Sequence, residues 1–205
     1  MRISDETSFC SAGMDRSPIR FRHEMAITQS ISTLVEPVTG ADHLRGNELA
    51  PVTLVEYGEF ECPECGRAYH VIRELLEEAP DEFRFVFRHF ARDEVHPFSE
   101  RSARAAEAAG AQGRFWEMHD FLFERQHQLE YDDLFRHARE LGLDVDRFRQ
   151  ELTSDQTHLT KVRSDLESGL ASGVSGTPTF FINGVRYEGS TDVAGLLTAI
   201  RASRS

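Results

Sequence analysis

Residues 52–65 read VTLVEYGEFECPEC, and this stretch decides the fold. Its first part, Val52–Tyr57, is apolar and β-branched, which is typical of a buried strand. Further along, Arg67–Glu78 carries apolar side chains at helical spacing, so a helix is predicted there. Cys62 and Cys65 therefore lie where a strand passes into the first turn of a helix. A pair with this spacing can close into a disulfide, which predicts a redox-active dithiol.

The two cysteines are expected to have different roles. The unpaired N–H groups at a helix start lower the pKa of a thiol from about 8.5, so Cys62 is the expected nucleophile. Cys65 lies one turn further in and is the expected resolving thiol. Pro63 suits the first helical turn, where a missing N–H breaks no bond. The alternative is half of a zinc site, but no second Cys or His pair has matching spacing, so neither a metal nor a cofactor is predicted.

A glutamate precedes the cysteines on the predicted strand. Glu56 is six residues before Cys62. Its two neighbours in the chain are apolar, so we expect a half-buried carboxyl group. Burial would raise the pKa of this group, which could then accept the proton of Cys65 during the second step of disulfide exchange. The alternative is an exposed glutamate at an edge of the sheet.

A proline follows a glycine-rich segment near the end of the chain. Thr177 and Pro178 come after Gly173 and Gly176 and lead into a strand-like run. A proline that enters a sheet from such a turn is a candidate for a cis peptide bond. The loop would present backbone groups beside Cys62, where an extended substrate could add as a further strand. An ordinary trans proline in a turn is the alternative.

The order of predicted elements indicates an α/β fold that is interrupted by helices. Residues 31–97 carry a strand, a helix and a second strand, and residues 173–205 carry a hairpin and a helix. Residues 98–172 contain helical patterns and hardly any strand-like run, so they are predicted to form an all-α insertion. Residues 1–30, which include the third cysteine, Cys10, are expected to form a disordered arm.

Four shorter assignments complete the expected sheet. Thr33–Val38 is predicted to be a short edge strand, since its proline suits an edge, and Gly40–Ala50 is expected to be a loop. Phe83–Phe90 has apolar residues on both faces, as an inner strand does. Asn183-Gly184 predicts a tight hairpin turn.

Two motifs resemble those of a known family. Leu54–Cys65 resembles the active-site segment of DsbA-like proteins of the thioredoxin superfamily, and Gly173–Gly184 resembles their cis-proline loop and the hairpin after it. The helical patterns between them, with Phe115–His119, resemble the inserted helical subdomain of that family. The resemblance implies a thioredoxin fold with an all-α insertion and thiol–disulfide exchange as the activity.

The resemblance also implies roles for three residues. Pro178 would be the cis proline, Thr177 the backbone partner of the substrate, and Glu56 the buried acid of the family. Two other functions stay open on the same scaffold. A glutathione-linked transferase or isomerase usually carries a serine where this chain has Cys62, and a non-catalytic binding module would hold a partner at its sheet edge or helical groove.

The residues between the cysteines depart from the family, which often has a histidine there. Glu64 stands next to Pro63, and Glu59 and Glu61 lie nearby. Negative charge disfavours a thiolate, so we expect the pKa of Cys62 in the upper part of the range between about 3.5 and 7. The dithiol would then be a weaker oxidant than family members with the lowest values.

Composition and targeting signals limit the expected partners. The chain has 205 residues and a net charge of −12, which argues against nucleic acid and favours neutral or basic partners. No apolar run approaches the roughly 20 residues of a membrane span, and Met1–Glu24 lacks the apolar core of a signal peptide. We therefore expect a cytoplasmic protein that exchanges disulfides with protein or small-molecule partners and is recycled by a separate redox partner.

Overall fold

The computed structural model describes residues 33–154 and 156–204 of the chain. The expected disordered arm, with its cysteine, lies outside these residues. Within them the strands are β1 (His43–Gly46), β2 (Val52–Gly58), β3 (Phe83–His89), β4 (Thr179–Ile182) and β5 (Val185–Tyr187). The helices are α1 (Pro63–Glu78), α2 (Ser99–Gly110), α3 (Phe115–Glu124), α4 (Tyr131–Glu140), α5 (Val145–Ser154), α6 (Gln156–Ala171) and α7 (Val193–Ala202). The prediction of an α/β fold is confirmed.

The described strands form one mixed five-stranded sheet in the order β1-β3-β2-β4-β5. β2 and β3 are parallel, and the other neighbouring pairs in this sheet are antiparallel. Parallel strands need a crossover connection, and α1 supplies it. The predicted strand, helix and inner strand around the cysteine pair are therefore confirmed. This arrangement places the start of α1 at the carboxyl end of β2, near the middle of the sheet.

Two assignments at the start of the sheet are wrong. The expected loop at Gly40–Ala50 contains β1, and the expected edge strand at Thr33–Val38 contributes an isolated bridge to β5. Two carbonyl groups of that segment accept hydrogen bonds from the buried guanidinium of Arg88, at 2.9 Å each, so they are not available to a neighbouring strand. β1 is fixed by Arg45, whose guanidinium makes two 2.9 Å hydrogen bonds to the Asp120 carboxylate on α3.

One face of the sheet shares its core with the helical segment. Leu54 of β2 and Phe85 of β3 belong to a buried cluster with Leu75 of α1 and Ile200 of α7. The same cluster continues to Phe148 of α5. The helices between β3 and β4 therefore pack onto the sheet through a continuous apolar interior, which stabilises both parts together.

The other face of the sheet is covered by α6. Val55 and Tyr57 of β2 pack with Leu166 of this helix. The approach is close, since a Cβ atom at Gly169 would lie 2.7 Å from a ring carbon of Phe90. The last helix between β3 and β4 is thus part of the packing of the sheet itself.

A histidine is buried between the sheet and the helical segment. His119 of α3 is 3 % exposed, and its ring contacts those of Phe60, Phe87 and Phe123. Its Nδ1 lies 2.9 Å from a carboxylate oxygen of Asp120. Burial lowers the pKa of His119 to about 4, although the carboxylate opposes the shift. The imidazole is therefore neutral in the folded protein at neutral pH.

Replacing this histidine should remove part of the acid sensitivity of the fold. In the unfolded chain the pKa of a histidine is about 6.5, so below that pH the unfolded state binds a proton that folded His119 does not. The contribution to stability is present above pH 6.5 and is lost as the pH falls towards 4. Between pH 7 and pH 5, His119→Gln should lose about 2 kcal/mol less of its free energy of unfolding than the wild type.

Urea unfolding followed by circular dichroism at the two pH values measures this difference. The control is His127→Gln, which removes an exposed histidine from the loop after α3 and should keep the wild-type loss. Equal losses in His119→Gln and the wild type would contradict the assignment.

Candidate active site

The predicted nucleophile is placed by the end of β2 and the start of α1. Cys62 is the residue before the helix and has an extended backbone, and its carbonyl accepts a hydrogen bond from the Gly66 N–H at 3.1 Å. Pro63 opens the helix, at a position where its missing N–H costs no hydrogen bond. Cys62 therefore lies at the positive end of α1, which favours the thiolate form of its side chain.

Both thiols are free, and their pKa values are shifted in opposite directions. Cys62 is 5 % exposed and Cys65 is fully buried. A hydrogen bond from Cys65 lowers the pKa of Cys62 to about 5, against the opposing effect of burial. Burial raises the pKa of Cys65 well above its ordinary value, and the hydrogen bond to Cys62 and the charge of Glu56 act in the same direction. At neutral pH one sulfur is a thiolate and the other keeps its proton.

Glu56 is fully buried rather than half-buried, so that expectation is wrong. It is 2 % exposed, because β2 has a neighbouring strand on each side and helices cover this face of the sheet. Burial raises the pKa of Glu56 to about 8, and the charge of Cys62 adds to the shift. Its Oε1 has no hydrogen-bond partner among the described residues. The carboxyl group is therefore mostly protonated at neutral pH.

The loop before β4 lies against the nucleophile. The peptide bond between Thr177 and Pro178 is cis. The Cys62 Sγ lies 3.5 Å from the Thr177 carbonyl oxygen, which accepts a weak hydrogen bond from it only while Cys62 is protonated. After β4, Asn183 and Gly184 have φ angles of 48° and 82°, the left-handed geometry of a two-residue hairpin turn, as predicted. The structure thus brings the predicted substrate loop and the predicted nucleophile together.

The three acidic residues near the nucleophile all have partners. Glu64, on the exposed side of α1, accepts a hydrogen bond from Arg67 at 2.9 Å. Glu61 accepts one from the backbone N–H before α2 at 2.7 Å, and Glu59 pairs with His96. Paired charges act less on a neighbouring thiolate than free ones do. The expected position of the nucleophile's pKa within the family range stays a prediction.

Gln126, in the turn after α3, holds the cysteine loop in place. Its Nε2 donates to the carbonyl of Phe60 at 2.9 Å and to that of Cys62 at 2.8 Å. A Cβ atom at Gly66 would collide with the end of the Gln126 side chain, so a larger residue there would displace Gln126 from the cysteine loop. Nothing in the sequence pattern identifies Gln126, and Gly66 is the one local sign of a close neighbour.

A cleft of about 190 Å³ opens beside the nucleophile. Its walls come from the cysteine loop, the loop after β3 and the loop before β4. The lining residues are Glu59, Cys62, Phe90, Arg92, Val95, His96, Ser175, Gly176 and Thr177. The sequence does not mark His96 as a site residue, because it lies in a connecting loop that matches no motif. The cleft is the space through which a foreign sulfur can reach Cys62.

Within residues 33–154 and 156–204, no three His, Cys, Asp or Glu side chains are grouped as metal ligands. Of the described helices, none combines the length and the apolar character that crossing a membrane requires.

Known proteins share this architecture. A family model described as Thioredoxin matches residues 38–202. The chain belongs to the thioredoxin family. BdbD from Bacillus subtilis superposes with a TM-score of 0.74 at 20 % identity, covering 84 % of this chain and 98 % of that one. A thioredoxin-like oxidoreductase from Silicibacter pomeroyi gives a TM-score of 0.72 at 25 % identity, covering 82 % and 95 %.

The DsbA-like form of the fold is supported by a further match. The α-DsbA1 protein of Wolbachia pipientis superposes with a TM-score of 0.71 at 22 % identity, covering 85 % of this chain and 96 % of that one. The prediction of a DsbA-like thioredoxin fold with a helical insertion is confirmed.

The curated relatives carry another name. A protein of Salinispora arenicola named Na(+)/H(+) antiporter NhaA 1 is 45 % identical over 185 residues, which are 90 % of this chain and 28 % of that protein. A protein of Herminiimonas arsenicoxydans named Na(+)/H(+) antiporter NhaA is 43 % identical over 86 % of this chain and 28 % of its own length. The thioredoxin-family chain thus spans little more than a quarter of the relatives that it matches.

Glu56→Gln should stabilise the reduced protein, and more so at higher pH. The unfolded carboxyl group ionises near its ordinary pKa of 4.5, whereas the folded group keeps its proton up to about pH 8. Wild-type stability is therefore lost as the pH rises through this window. Relative to the wild type, the free energy of unfolding of Glu56→Gln should rise by roughly 3 kcal/mol between pH 4.5 and pH 7.

Urea titrations in the presence of a reductant measure this trend. Glu77→Gln, on the exposed side of α1, is the matched control and should show no comparable trend. If Glu56→Gln differs from the wild type by the same amount at both pH values, Glu56 is not a protonated buried acid.

Proposed function

We propose that the chain is a thiol–disulfide oxidoreductase that acts on disulfides of protein substrates through Cys62 and Cys65. The observation that carries this proposal is the placement of the two thiols: Cys62 stands at the start of α1 beside the Thr177 carbonyl, and Cys65 is buried one turn further in. The pKa of Cys62 is lowered to about 5 by the hydrogen bond from Cys65, and burial raises that of Cys65. The family membership and the DsbA-like fold support thiol–disulfide exchange in general.

The first step is attack on the substrate. The thiolate of Cys62 forms a bond to one sulfur of a substrate disulfide, and the other substrate sulfur leaves as a thiolate. In the second step Cys65 loses its proton, and its sulfur attacks that of Cys62. The substrate's remaining sulfur leaves, and a disulfide joins Cys62 to Cys65. Two electrons pass from the protein to the substrate, and the reverse sequence oxidises a substrate dithiol.

Glu56 is the proposed acceptor of the proton that Cys65 must lose. The charge of the Cys62 thiolate helps to keep Glu56 protonated. That charge disappears when Cys62 enters a mixed disulfide, so the pKa of Glu56 falls at the stage when a base is needed. The charge of Glu56 raises the pKa of Cys65, and both side chains are buried, which suits a transfer between them.

The loop before β4 is the proposed place for the substrate backbone. The Thr177 carbonyl faces the Cys62 sulfur at 3.5 Å, and Pro178 begins the turn into the sheet. An extended peptide beside this loop would bring its cysteine to the cleft and could pair with the exposed backbone. Pro63 and Glu64 contribute by starting α1 directly after the nucleophile. Reduction in the cytoplasm, with a separate recycling partner, is the direction that we propose.

The antiporter relatives favour a second candidate function, in which the substrate is a membrane transporter. The identity of 43 to 45 % is confined to about a quarter of those proteins. We propose that a domain of this type exchanges disulfides with the transporter. In a Cys65→Ser variant incubated with solubilised membranes, an antiporter peptide linked to Cys62 would support this candidate. Adducts formed with water-soluble proteins and with no transporter would refute it.

The wild type should accelerate the reduction of insulin by dithiothreitol, measured as turbidity. Cys62→Ser should abolish the acceleration, because serine provides no thiolate at neutral pH. Cys10→Ser, which removes the cysteine outside the predicted site, is the control and should keep the wild-type rate. Equal rates for Cys62→Ser and the wild type would favour a non-catalytic binding module instead.

Cys65→Ser should accumulate a mixed disulfide. Its Cys62 can still attack a disulfide-containing peptide, but the thiol that displaces the peptide is missing. Intact-protein mass spectrometry should find one peptide bound per chain, and peptide mapping should place it on Cys62. Cys62→Ser/Cys65→Ser, the matched control, should bind none. An adduct of the same yield on the double variant would place the reactive sulfur elsewhere.

A further inference from the structure

The loop that joins β3 to α2 is fastened to the cysteine loop by two carboxylates. Glu61 accepts a hydrogen bond from the Phe98 N–H at 2.7 Å, and Glu59 forms an ion pair with the Nδ1 of His96. Both glutamates precede the nucleophile in the sequence, and both of their partners lie beyond the end of β3. The contacts hold His96 in the wall of the cleft that opens beside Cys62.

Glu59 has a fixed position in this arrangement. Its side chain is 4 % exposed, and the N–H of Glu61 donates to its Oε2 at 3.2 Å. Burial raises the pKa of Glu59, while the hydrogen bond from Ser99 and the charge of His96 act against that shift. The Glu59 carboxyl group and the His96 ring therefore hold each other in place across the two loops.

The other charged groups around the cleft are few and are paired. Of the described residues that line it, Glu59, Cys62, Arg92 and His96 are the ones that can carry charge. Arg92 donates from Nε to Glu94 at 2.7 Å, in the same loop. The side chain of His96 is 28 % exposed, so water and protons reach it. When the His96 ring is protonated, its charge favours the thiolate of Cys62.

We propose that His96, oriented by Glu59, is a positioning residue whose imidazolium stabilises the thiolate of Cys62 from the wall of the cleft. The inference rests on the proposed exchange reaction and deepens it. Only the reduced protein has a thiolate at this position, so the interaction favours the reduced dithiol over the disulfide. His96 thereby supplies, from a different loop, a cation that the Pro63-Glu64 pair between the cysteines does not provide.

The competing explanation is that His96 only fastens its loop to Glu59. His96→Gln separates the two, because its amide can still donate to Glu59 but carries no charge. His96→Lys makes the opposite change, keeping a cation while losing the imidazole. Glu59→Gln retains a polar group of the same shape and removes the negative charge next to the nucleophile.

The pKa of Cys62 is measured for each variant by thiolate absorbance near 240 nm. His96→Gln should raise it by half a unit or more, which is about a threefold fall in the thiolate-to-thiol ratio at a given pH below the pKa. Glu59→Gln should lower it, and His96→Lys should leave it at or below the wild-type value. In a glutathione buffer at pH 6, His96→Gln should also be more oxidised than the wild type.

A wild-type titration curve in His96→Gln would overturn the inference, as would equal upward shifts in His96→Gln and His96→Lys. If His96→Gln does not fold, His96→Lys still decides, since the inference fails if this variant raises the pKa of Cys62. These titrations need no substrate. Failure of the proposed function would appear separately, as a wild type that does not reduce insulin although Cys62 titrates as expected.

Discussion

The hydrogen bond from the buried thiol of Cys65 to the sulfur of Cys62 is the interaction on which the site depends. Burial keeps the proton on Cys65, and that proton stabilises negative charge on Cys62. Because the proton remains on Cys65, Cys62 is a thiolate that can act as a nucleophile, whereas Cys65 stays a neutral thiol. Glu56 is coupled to this pair, because the pKa of its buried carboxyl group depends on the charge of Cys62.

The helical segment takes part in this arrangement directly. Gln126 reaches from the turn after α3 to two carbonyl groups of the cysteine loop, and Glu61 bonds to the backbone at the start of α2. The apolar interior that links the sheet to α5 fixes the helical segment against the sheet, and this maintains both contacts. The position of Cys62 is therefore determined by both parts of the chain, and loosening their common core would disturb the geometry of the dithiol.

Features that depend on contacts between residues close together in the chain are predictable from the sequence, whereas features that depend on distant contacts are not. The start of α1 at Cys62 and the turn at Asn183-Gly184 depend on a few adjacent residues, and both were predictable. The full burial of Glu56 depends on two neighbouring strands and on helices from distant parts of the chain. Gln126 and His96 enter the site through loops that match no motif. The effect of the acidic cysteine loop on the thiolate cannot be read from the sequence, because the partners of Glu59 and Glu61 lie in a different loop.

The complete burial of Cys65 restricts how partner molecules can reach the dithiol. In the described structure a foreign sulfur can reach the dithiol only at Cys62, so in the proposed reaction the substrate disulfide and the reductant that later restores the dithiol would use the same entrance. Neither can bind while the other is attached, and the two half-reactions have to alternate. In the proposed exchange reaction, electrons would therefore pass between two partners that never meet.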